Sequence, residues 1–225
     1  MFNIFKGWFG EKKTSVSMWF SLDKATYTRF HDLILPSYNG TAQIDHLVVS
    51  KYGLFIVETK NMKGWIFGDE HSAQWTQSFH RKKFRFQNPL RQTYRQKKVL
   101  SEFLNLDEDL IRTAVYFCGD CSLRTSLPLN VMTNGLGRYI KSFRVPQIDY
   151  QQEQHIIKLI EAYAATTTLT SKDHINSLNI RHNSSSVCPR CNASLVKRVA
   201  KSGPNKGNSF LGCANYPKCK YTKNV

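Results

Sequence analysis

Two apolar segments separated by a short turn constrain the fold of this chain more than any other feature. Residues 43–50 and 54–60 are rich in Ile, Leu, Val and Phe, and the sequence SKYG lies between them. This pattern predicts two antiparallel strands joined by a tight turn. With Lys51-Tyr52 at the tip, the numbers of paired residues sum to 103. Apolar residues then occur on both sides of the hairpin, which predicts a central strand pair of a sheet that is covered on both faces.

The charged residues of this hairpin gather at the end away from the turn. In the predicted register Asp45 lies opposite Glu58, and Lys60 projects on the same side, because strand side chains alternate with a period of two. Two opposed carboxylates with Cβ atoms about 5 Å apart repel one another unless a cation lies between them. A divalent ion such as Mg²⁺ relieves that repulsion, and a lysine amine beside it can orient water or stabilise charge on phosphate. The alternative is a salt-bridge cluster that closes the end of the sheet. The other side of the hairpin is predicted to pair Val48 with Phe55, His46 with Val57 and Ile44 with Thr59.

Several motifs in the first half of the chain occur together and in a defined order. They are Gly10-Glu11, Ile44-Asp45-His46, GLFIVETKN at 53–61, GWIFG at 64–68, Trp75-Thr76 and QNPLRQ at 87–92. This set resembles the NERD (nuclease-related domain) family, whose core resembles the PD-(D/E)xK restriction-endonuclease fold. The resemblance implies an α/β domain with a mixed central sheet flanked by helices.

The same resemblance implies a metal-dependent nuclease site. Carried over to the matching positions, Asp45 and Glu58 are the ligands of Mg²⁺ or Mn²⁺ and Lys60 is the catalytic lysine. Glu11 is the fourth member, supplied by an N-terminal helix, and Gln92 points toward the carboxylates. For Glu11 the alternative is a solvated surface acid, because the stretch that follows it is a poor helix. For Gln92 the alternative is an ordinary position on an amphipathic helix.

Further elements complete the first domain. Asn88 followed by Pro89 indicates a capped helix that runs to about Leu104. Residues 111–117 predict an apolar strand, and residues 148–165 predict an amphipathic helix that covers the sheet. Shorter elements are expected as a strand at 129–132 and a helix at 136–143.

A CxxC pair, Cys118 and Cys121, ends the strand at 111–117. It is interpreted as a redox pair, a metal half-site or two free thiols. The sequence favours two thiols, because no second cysteine pair is left over to complete a metal site.

Two close cysteine pairs near the C-terminus predict a zinc site. Cys188 and Cys191 form one pair and Cys213 and Cys219 the other, so the four thiolates can hold one tetrahedral zinc ion. Disulfides are the alternative, which the absence of a recognisable signal peptide disfavours. The details CPRC, SFLGC, Tyr-Pro and Lys-Cys resemble the C4 zinc finger of bacterial type IA topoisomerases. That resemblance implies a zinc ribbon-like module that binds single-stranded or distorted DNA. The expected organisation is a nuclease-like domain at 1–180, a linker at 181–187 and the zinc module at 188–225.

Charge independently predicts a polyanionic partner. The chain carries a formal net charge of +16, and neither 71–101 nor 174–225 contains an acidic residue. No apolar run approaches the ~20 residues that span a bilayer, so nucleic acid in the cytoplasm is the expected partner. Lysine and arginine neutralise phosphates, and aromatic side chains stack on unpaired bases. The candidate DNA-binding residues are Arg81, Lys82, Lys83, Arg85, Lys197, Arg198, Lys201, Phe210, Tyr216, Lys218 and Lys220. For the cluster at 81–85 the alternative is a solvated strand face, and for Phe210 it is the small core of the zinc module.

The sequence therefore predicts a Mg²⁺-dependent DNA nuclease or DNA-processing protein, directed to unpaired or distorted DNA by its zinc finger. The main alternative is a non-catalytic DNA-binding or adaptor protein that keeps the nuclease-like fold. An RNA-directed protein is a third possibility, because basic patches by themselves do not distinguish the sugar.

Overall fold

The computed structural model of the protein describes residues 22–189 and 193–224. The strands, in chain order, are β1 (Thr28–Ser37), β2 (Gly40–Ser50), β3 (Gly53–Lys60), β4 (Gly64–Phe67), β5 (Gln74–Phe79), β6 (Lys82–Gln87), β7 (Ile111–Phe117), β8 (Cys121–Leu123), β9 (Val131–Met132), β10 (Leu195–Val199), β11 (Ser209–Cys213) and β12 (Thr222–Asn224). The helices are α1 (Pro89–Leu104), α2 (Leu136–Lys141), α3 (Tyr150–Thr166) and α4 (Ser171–Asn183), with a short 3-10 helix at Glu108–Leu110. Among the described residues, no helix is both long and apolar enough to cross a membrane.

The described chain divides into two compact units. The first contains the residues up to Leu35 and residues 42–168, and the second contains residues 36–41 and the residues from 169 onward. The first unit is a mixed α/β structure, as predicted. Its five-stranded sheet has the order β1-β2-β3-β7-β9, and its four-stranded sheet has the order β6-β5-β4-β8. The second unit contains a three-stranded sheet, β10-β11-β12.

The predicted hairpin lies at the centre of the five-stranded sheet. β2 and β3 pair antiparallel from His46 with Val57 to Ser50 with Gly53, which confirms the predicted register over these residues. The predicted pairing of Asp45 with Glu58 is not part of this ladder. β3 pairs on its other side with β7 in parallel, so it is an inner strand. Because the crossover from β3 to β7 passes through β4–β6 and α1, it brings α1 against the sheet next to β3.

Apolar clusters cover both faces of this sheet. Leu54 and Ile56 pack with residues of α1 and α3 on one face, whereas Phe55 and Val57 pack with residues of α2 on the other. The alternation predicted for β3 is therefore confirmed. The residues after Val57 on the α1 face are Glu58 and Lys60, so the charged residues follow directly from an apolar core.

β2 departs from regular alternation near its charged end. Ile44 packs in the same cluster as Leu47 and Val49, so the prediction that Ile44 faces the opposite side with Thr59 is wrong. The strand ladder ends at His46, and the backbone N–H of Thr59 donates to Asp45 Oδ2 at 2.9 Å. The Asp45 carboxylate thus replaces a backbone carbonyl as the acceptor for the Thr59 N–H. The alternation of β2 side chains between the two faces of the sheet shifts by one residue between positions 44 and 47.

The helix predictions are largely confirmed. The Asn88 side chain accepts a hydrogen bond from the N–H of Leu90 at 2.9 Å, and the helix runs from Pro89 to Leu104 as expected. α3 covers the sheet through three buried isoleucines, and β7 has the predicted bounds. α4 extends to Asn183, so the first three residues of the predicted linker at 181–187 are helical instead. A capping box at Thr170 and Asp173 begins α4 and stabilises that helix.

The four-stranded sheet packs one face on the core of the first unit. Trp75 of β5 is 1% exposed, and its ring stacks on Phe117 of β7 with centroids 6.2 Å apart. The indole N–H of Trp75 donates to the carbonyl of Asp69 at 2.9 Å, so the buried ring has no unsatisfied donor. This packing leaves the basic strand β6 at the edge of the sheet.

Candidate functional site

The charged cluster lies where the end of β3 meets the first two turns of α1. The Glu58 side chain is 2% exposed, and its Oε1 accepts a hydrogen bond from Lys60 Nζ. Lys60 Nζ also donates to Gln92 Oε1 at 3.1 Å. Gln96 Nε2 donates to Glu58 Oε2 at 2.8 Å, so both carboxylate oxygens of Glu58 have partners. The structure thus brings together three of the residues selected from the sequence and adds a fourth side chain, Gln96.

Asp45 joins this cluster from the irregular end of β2. Its Oδ2 accepts hydrogen bonds from the backbone N–H of Thr59 at 2.9 Å and from Thr59 Oγ1 at 3.0 Å. Burial and, after it, the nearby charge of Glu58 raise the pKa of Asp45 to about 7. Asp45 and Glu58 are therefore close enough to interact electrostatically, although Asp45 does not lie opposite Glu58 in the strand ladder.

Lys60 is held in its charged form by the carboxylates around it. Burial by itself would lower the pKa of this amine, but the charge and hydrogen bond of Glu58, together with the charge of Asp45, raise it. The Lys60 side chain as a whole is 22% exposed. A protonated amine in this position can stabilise negative charge that develops on a phosphate.

Gln96 is the residue of this site that sequence reasoning missed. Its side chain is 2% exposed, and Nε2 donates both to Glu58 and to the Gln43 carbonyl at 2.8 Å. Because both partners are acceptors, the amide orientation follows from the contacts. The available signal was its position four residues after Gln92, which places both amides on one face of α1. The buried stripe of α1 passes through Thr93, Gln96 and Leu100, whereas Tyr94 is 59% exposed.

The donor set of this cluster fits a hard divalent cation. Asp45 and Glu58 contribute two carboxyl groups to this cluster, beside the single amine of Lys60. Gln96 Oε1 is buried and has no hydrogen-bond partner within the described part of the chain. Carboxylate and amide oxygens are ligands that Mg²⁺ and Mn²⁺ accept, whereas soft metals prefer sulfur. The fourth predicted member, Glu11, lies outside the described residues.

Three of the four predicted zinc ligands lie together in the second unit. Cys188, Cys213 and Cys219 are buried, and their Sγ atoms all lie within 4.8 Å of one another. Cys188 and Cys219 Sγ are 3.8 Å apart. Two sulfurs bound to one tetrahedral zinc at about 2.3 Å lie about 3.8 Å apart, so the spacing fits this ion. Cys191 lies outside the described residues.

The core of the zinc module differs from the predicted one. Leu195 is buried with the three cysteines, and Leu211 and Tyr221 pack against this cluster. Phe210 is only partly buried and lies instead in a polar groove with Asn205 and Asn208. The interpretation of Phe210 as the small core is therefore wrong, because the three cysteines form that core together with Leu195 and Leu211.

The predicted basic residues of this module fall into two groups. The first group is exposed and consists of Lys197, Lys201, Lys218 and Lys220. Residues 174–225 contain no acidic residue that could form a salt bridge with them. Arg198 instead donates to the Cys213 carbonyl at 3.2 Å, and its guanidinium carbon lies 5.8 Å from the Tyr216 ring centre. Tyr216 is 61% exposed. Arg198 therefore supports a zinc knuckle, while Tyr216 presents an open ring to solvent.

The predicted basic strand of the first unit is exposed along most of its length. Arg81 lies in the turn before β6 with a φ of 62°, and Lys82, Lys83 and Arg85 are exposed on β6 itself. Phe86 of β6 lies on the opposite face of the sheet to Lys83 and Arg85 and packs against Trp75, with ring centroids 6.2 Å apart. The solvated face predicted as the alternative and a DNA-facing role are both compatible with this exposure.

Cys118 and Cys121 form no disulfide. Cys121 packs against the apolar cluster around Trp75, and burial raises its pKa to about 11. A thiol with so high a pKa is a poor nucleophile at neutral pH, which argues against a redox role for this residue.

The described chain therefore contains a mixed α/β unit with a buried charged cluster and a second unit with three clustered cysteines. The chain belongs to the NERD (nuclease-related domain) family, whose model matches residues 6–118. A second model, the topoisomerase DNA binding C4 zinc finger, matches residues 185–225. Both resemblances noted in the sequence are thereby confirmed.

Three individual relatives are similar to parts of the chain. An uncharacterized protein of Bacillus anthracis is 37% identical over 161 residues, which cover 69% of this chain and 75% of that protein. DNA topoisomerase 1 of Mycoplasmoides gallisepticum is 68% identical over 25 residues, 11% of this chain and 4% of that enzyme. The uncharacterized protein YrdD of Escherichia coli is 48% identical over 44 residues, 20% of this chain and 21% of that protein. No solved structure matches the chain.

Proposed function

We propose that this protein is a metal-dependent DNA nuclease whose first unit has a PD-(D/E)xK-type site. The observation that carries the proposal is the convergence of Asp45, Glu58 and Lys60 at the end of a buried hairpin, where burial and the charge of Glu58 raise the pKa of Asp45. A buried carboxylate pair is costly for a fold unless it serves a purpose such as holding a cation. Membership of a nuclease-related family supports the same reading.

In this proposal each residue has a separate task. Asp45 and Glu58 hold Mg²⁺ or Mn²⁺, which when bound activates water and polarises the phosphate. Lys60, held close by Glu58, stabilises the negative charge that develops on the phosphate oxygens. Gln96 fixes the Glu58 rotamer through Oε2, and Gln92 aligns the Lys60 amine. The two glutamines are therefore positioning residues.

The zinc ribbon supplies affinity for the substrate in this proposal. Its described residues expose lysines without a compensating acid, and the Tyr216 ring is available for stacking on a base. The family model for this module is that of a DNA-binding finger. We infer that the module concentrates the nuclease on single-stranded or distorted DNA.

The test is cleavage of labelled single-stranded, duplex and branched DNA with Mg²⁺ or Mn²⁺. Asp45→Asn and Lys60→Ala are expected to lower the cleavage rate by about 10²-fold or more. Lys63→Ala is the matched control, because Lys63 is an exposed lysine three residues beyond Lys60. Equal activity in all four proteins, or no activity in any, contradicts the proposal.

The alternative is a DNA-binding adaptor with a silent site, supported by the salt bridge that Glu58 already makes with Lys60. An adaptor binds DNA equally well with and without divalent metal, and Glu58→Gln leaves that binding unchanged. A nuclease of the proposed kind binds Mn²⁺ at Asp45 and Glu58, which isothermal titration detects without any cleavage. Competition between matched DNA and RNA single strands at one salt concentration identifies the preferred sugar.

A further inference from the structure

The four-stranded sheet keeps one face open, and that face carries two aromatic side chains. Trp65 of β4 pairs with Ser78 and Phe67 pairs with Thr76, which places all four side chains on one face. Trp75 lies on the opposite face and is buried in the core. Trp65 and Phe67 are 51% and 37% exposed. Sheet packing needs only the Trp75 face to be apolar, so it does not account for aromatic residues on the open face.

Cations flank these two aromatics on both sides. On one side Lys83 and Arg85 of the edge strand β6 share the open face through their register with β5. On the other side Arg124 follows β8, and its guanidinium carbon lies 4.6 Å from the centre of the Trp65 ring. Within the described strands, no position on this face holds a carboxylate.

We propose that this face, the aromatic platform of Trp65, Phe67, Lys83, Arg85 and Arg124, binds single-stranded DNA. Unpaired bases stack on the two rings, and the three cations neutralise the neighbouring phosphates. Four-stranded sheets that bind single strands elsewhere present central aromatic side chains in the same manner. Bases in a duplex are stacked on each other and are not available to these rings. The inference rests on the proposed function and deepens it, since it gives the nuclease-like unit its own substrate contact, separate from the zinc ribbon.

The geometry of β4 favours an extended strand as the ligand. Trp65 and Phe67 are two residues apart in one strand, so their Cα atoms lie about 7 Å apart. Each ring can therefore take one base without competing with the other. Lys83 and Arg85 repeat the same spacing on β6, which matches a row of bases to a row of phosphates. Charge complementarity is reinforced by the absence of acidic residues from 71–101.

The test uses the full zinc-loaded chain and a fluorescent oligothymidylate of about twelve nucleotides, followed by anisotropy without Mg²⁺ or Mn²⁺. The double variant Trp65→Ala with Phe67→Ala is expected to lose about tenfold or more in affinity for this oligonucleotide. Affinity for a duplex of equal length falls by less than about threefold, because the cations remain. Tyr150→Ala is the matched control, since Tyr150 is a 74% exposed aromatic of the same unit, at the start of α3, and its removal leaves binding unchanged.

A second measurement does not depend on the folding of a variant. Wild-type protein is photocrosslinked to an oligonucleotide that carries 5-iododeoxyuridine, and the crosslinked peptides are sequenced by mass spectrometry. Crosslinks at Trp65 or Phe67 support the platform. Crosslinks confined to residues 188–225 overturn it.

Other results also overturn the inference. One is that the double variant binds DNA with the affinity of the wild type, or loses affinity equally for single strand and duplex. Another is that the matched RNA binds more tightly than DNA and depends on the same two rings. A third is a change in oligomeric state that shows a second copy of the chain covering this face. The nuclease proposal fails independently. If the protein does not cleave DNA but needs Trp65 to bind it, the platform is supported and the nuclease proposal is refuted. If the protein cleaves DNA and binds it equally well without the Trp65 ring, the nuclease proposal is supported and the platform is refuted.

Discussion

Replacement of Gln96 by methionine tests whether this buried amide holds the acidic cluster together. Methionine has a similar volume, so the change removes hydrogen bonds without leaving a large cavity. Two bonds are lost, one to the Glu58 carboxylate and one to the Gln43 carbonyl, both 2.8 Å long. A bond to a charged group contributes about 1.5–3 kcal/mol and a neutral one about 0.5–1.5 kcal/mol. The expected loss in the free energy of unfolding is therefore about 2–4.5 kcal/mol.

Gln92→Met is the matched control, because it is the same substitution one turn earlier on α1. Gln92 is only partly buried, and its contact is a single 3.1 Å bond from the charged Lys60 amine, so the expected loss is at the lower end of the range for a charged partner, about 1.5 kcal/mol or less. The two variants therefore separate a buried positioning bond from a more accessible one.

The assay is urea unfolding in the presence of zinc, followed by tryptophan fluorescence. The four tryptophans are at positions 8, 19, 65 and 75, so none lies in the second unit and its unfolding does not contribute. Equal losses for Gln96→Met and Gln92→Met refute the reasoning, and so does a Gln96→Met variant as stable as the wild type.

Three further predictions concern other parts of the chain. Removal of zinc by a chelator is expected to unfold the module at 188–225 and leave residues 1–170 folded, because the metal replaces a core in so small a unit; unchanged NMR shifts of the module contradict this. Burial raises the pKa of Cys121 to about 11, so iodoacetamide should alkylate it about a hundredfold more slowly at pH 8 than a thiol of pKa 9.0. The alkylation rate should rise with pH until the pH passes about 11. Rapid labelling at pH 7, measured by mass spectrometry, contradicts this prediction. Asn88→Ala removes a fully buried helix cap that also donates to the Ser72 carbonyl at 2.8 Å, and should cost about 2–4 kcal/mol in the same urea titration; a loss below about 0.5 kcal/mol argues against it.

Local patterns in the sequence predicted much of the fold. The register of β2 with β3 follows from a period of two and a tight turn, and the structure confirms it from His46 to Ser50. The start of α1 follows from Asn88 and Pro89, because cap and proline preferences depend on neighbouring residues alone. The pairing of cysteines into a cluster follows in the same way from their spacing.

Patterns that depend on packing between distant segments were not predictable in this way. The irregularity at Asp45 arises because the Thr59 N–H takes a side-chain acceptor, and a strict period of two cannot represent that exchange. The linker prediction failed at 181–183 because the capping box at Thr170 starts a helix that continues through polar residues.

The sequence by itself thus determined the central hairpin, the capped helix, the cysteine spacing and the basic character of the chain, since each depends on residues close together or on composition. Only the tertiary structure decided which face of α1 meets the carboxylates and therefore that Gln96 holds Glu58. It also decided that Trp75 turns to the core while Trp65 stays open to solvent. Both outcomes depend on which neighbour covers a face, and that neighbour is set by the crossover between β3 and β7 rather than by any local pattern.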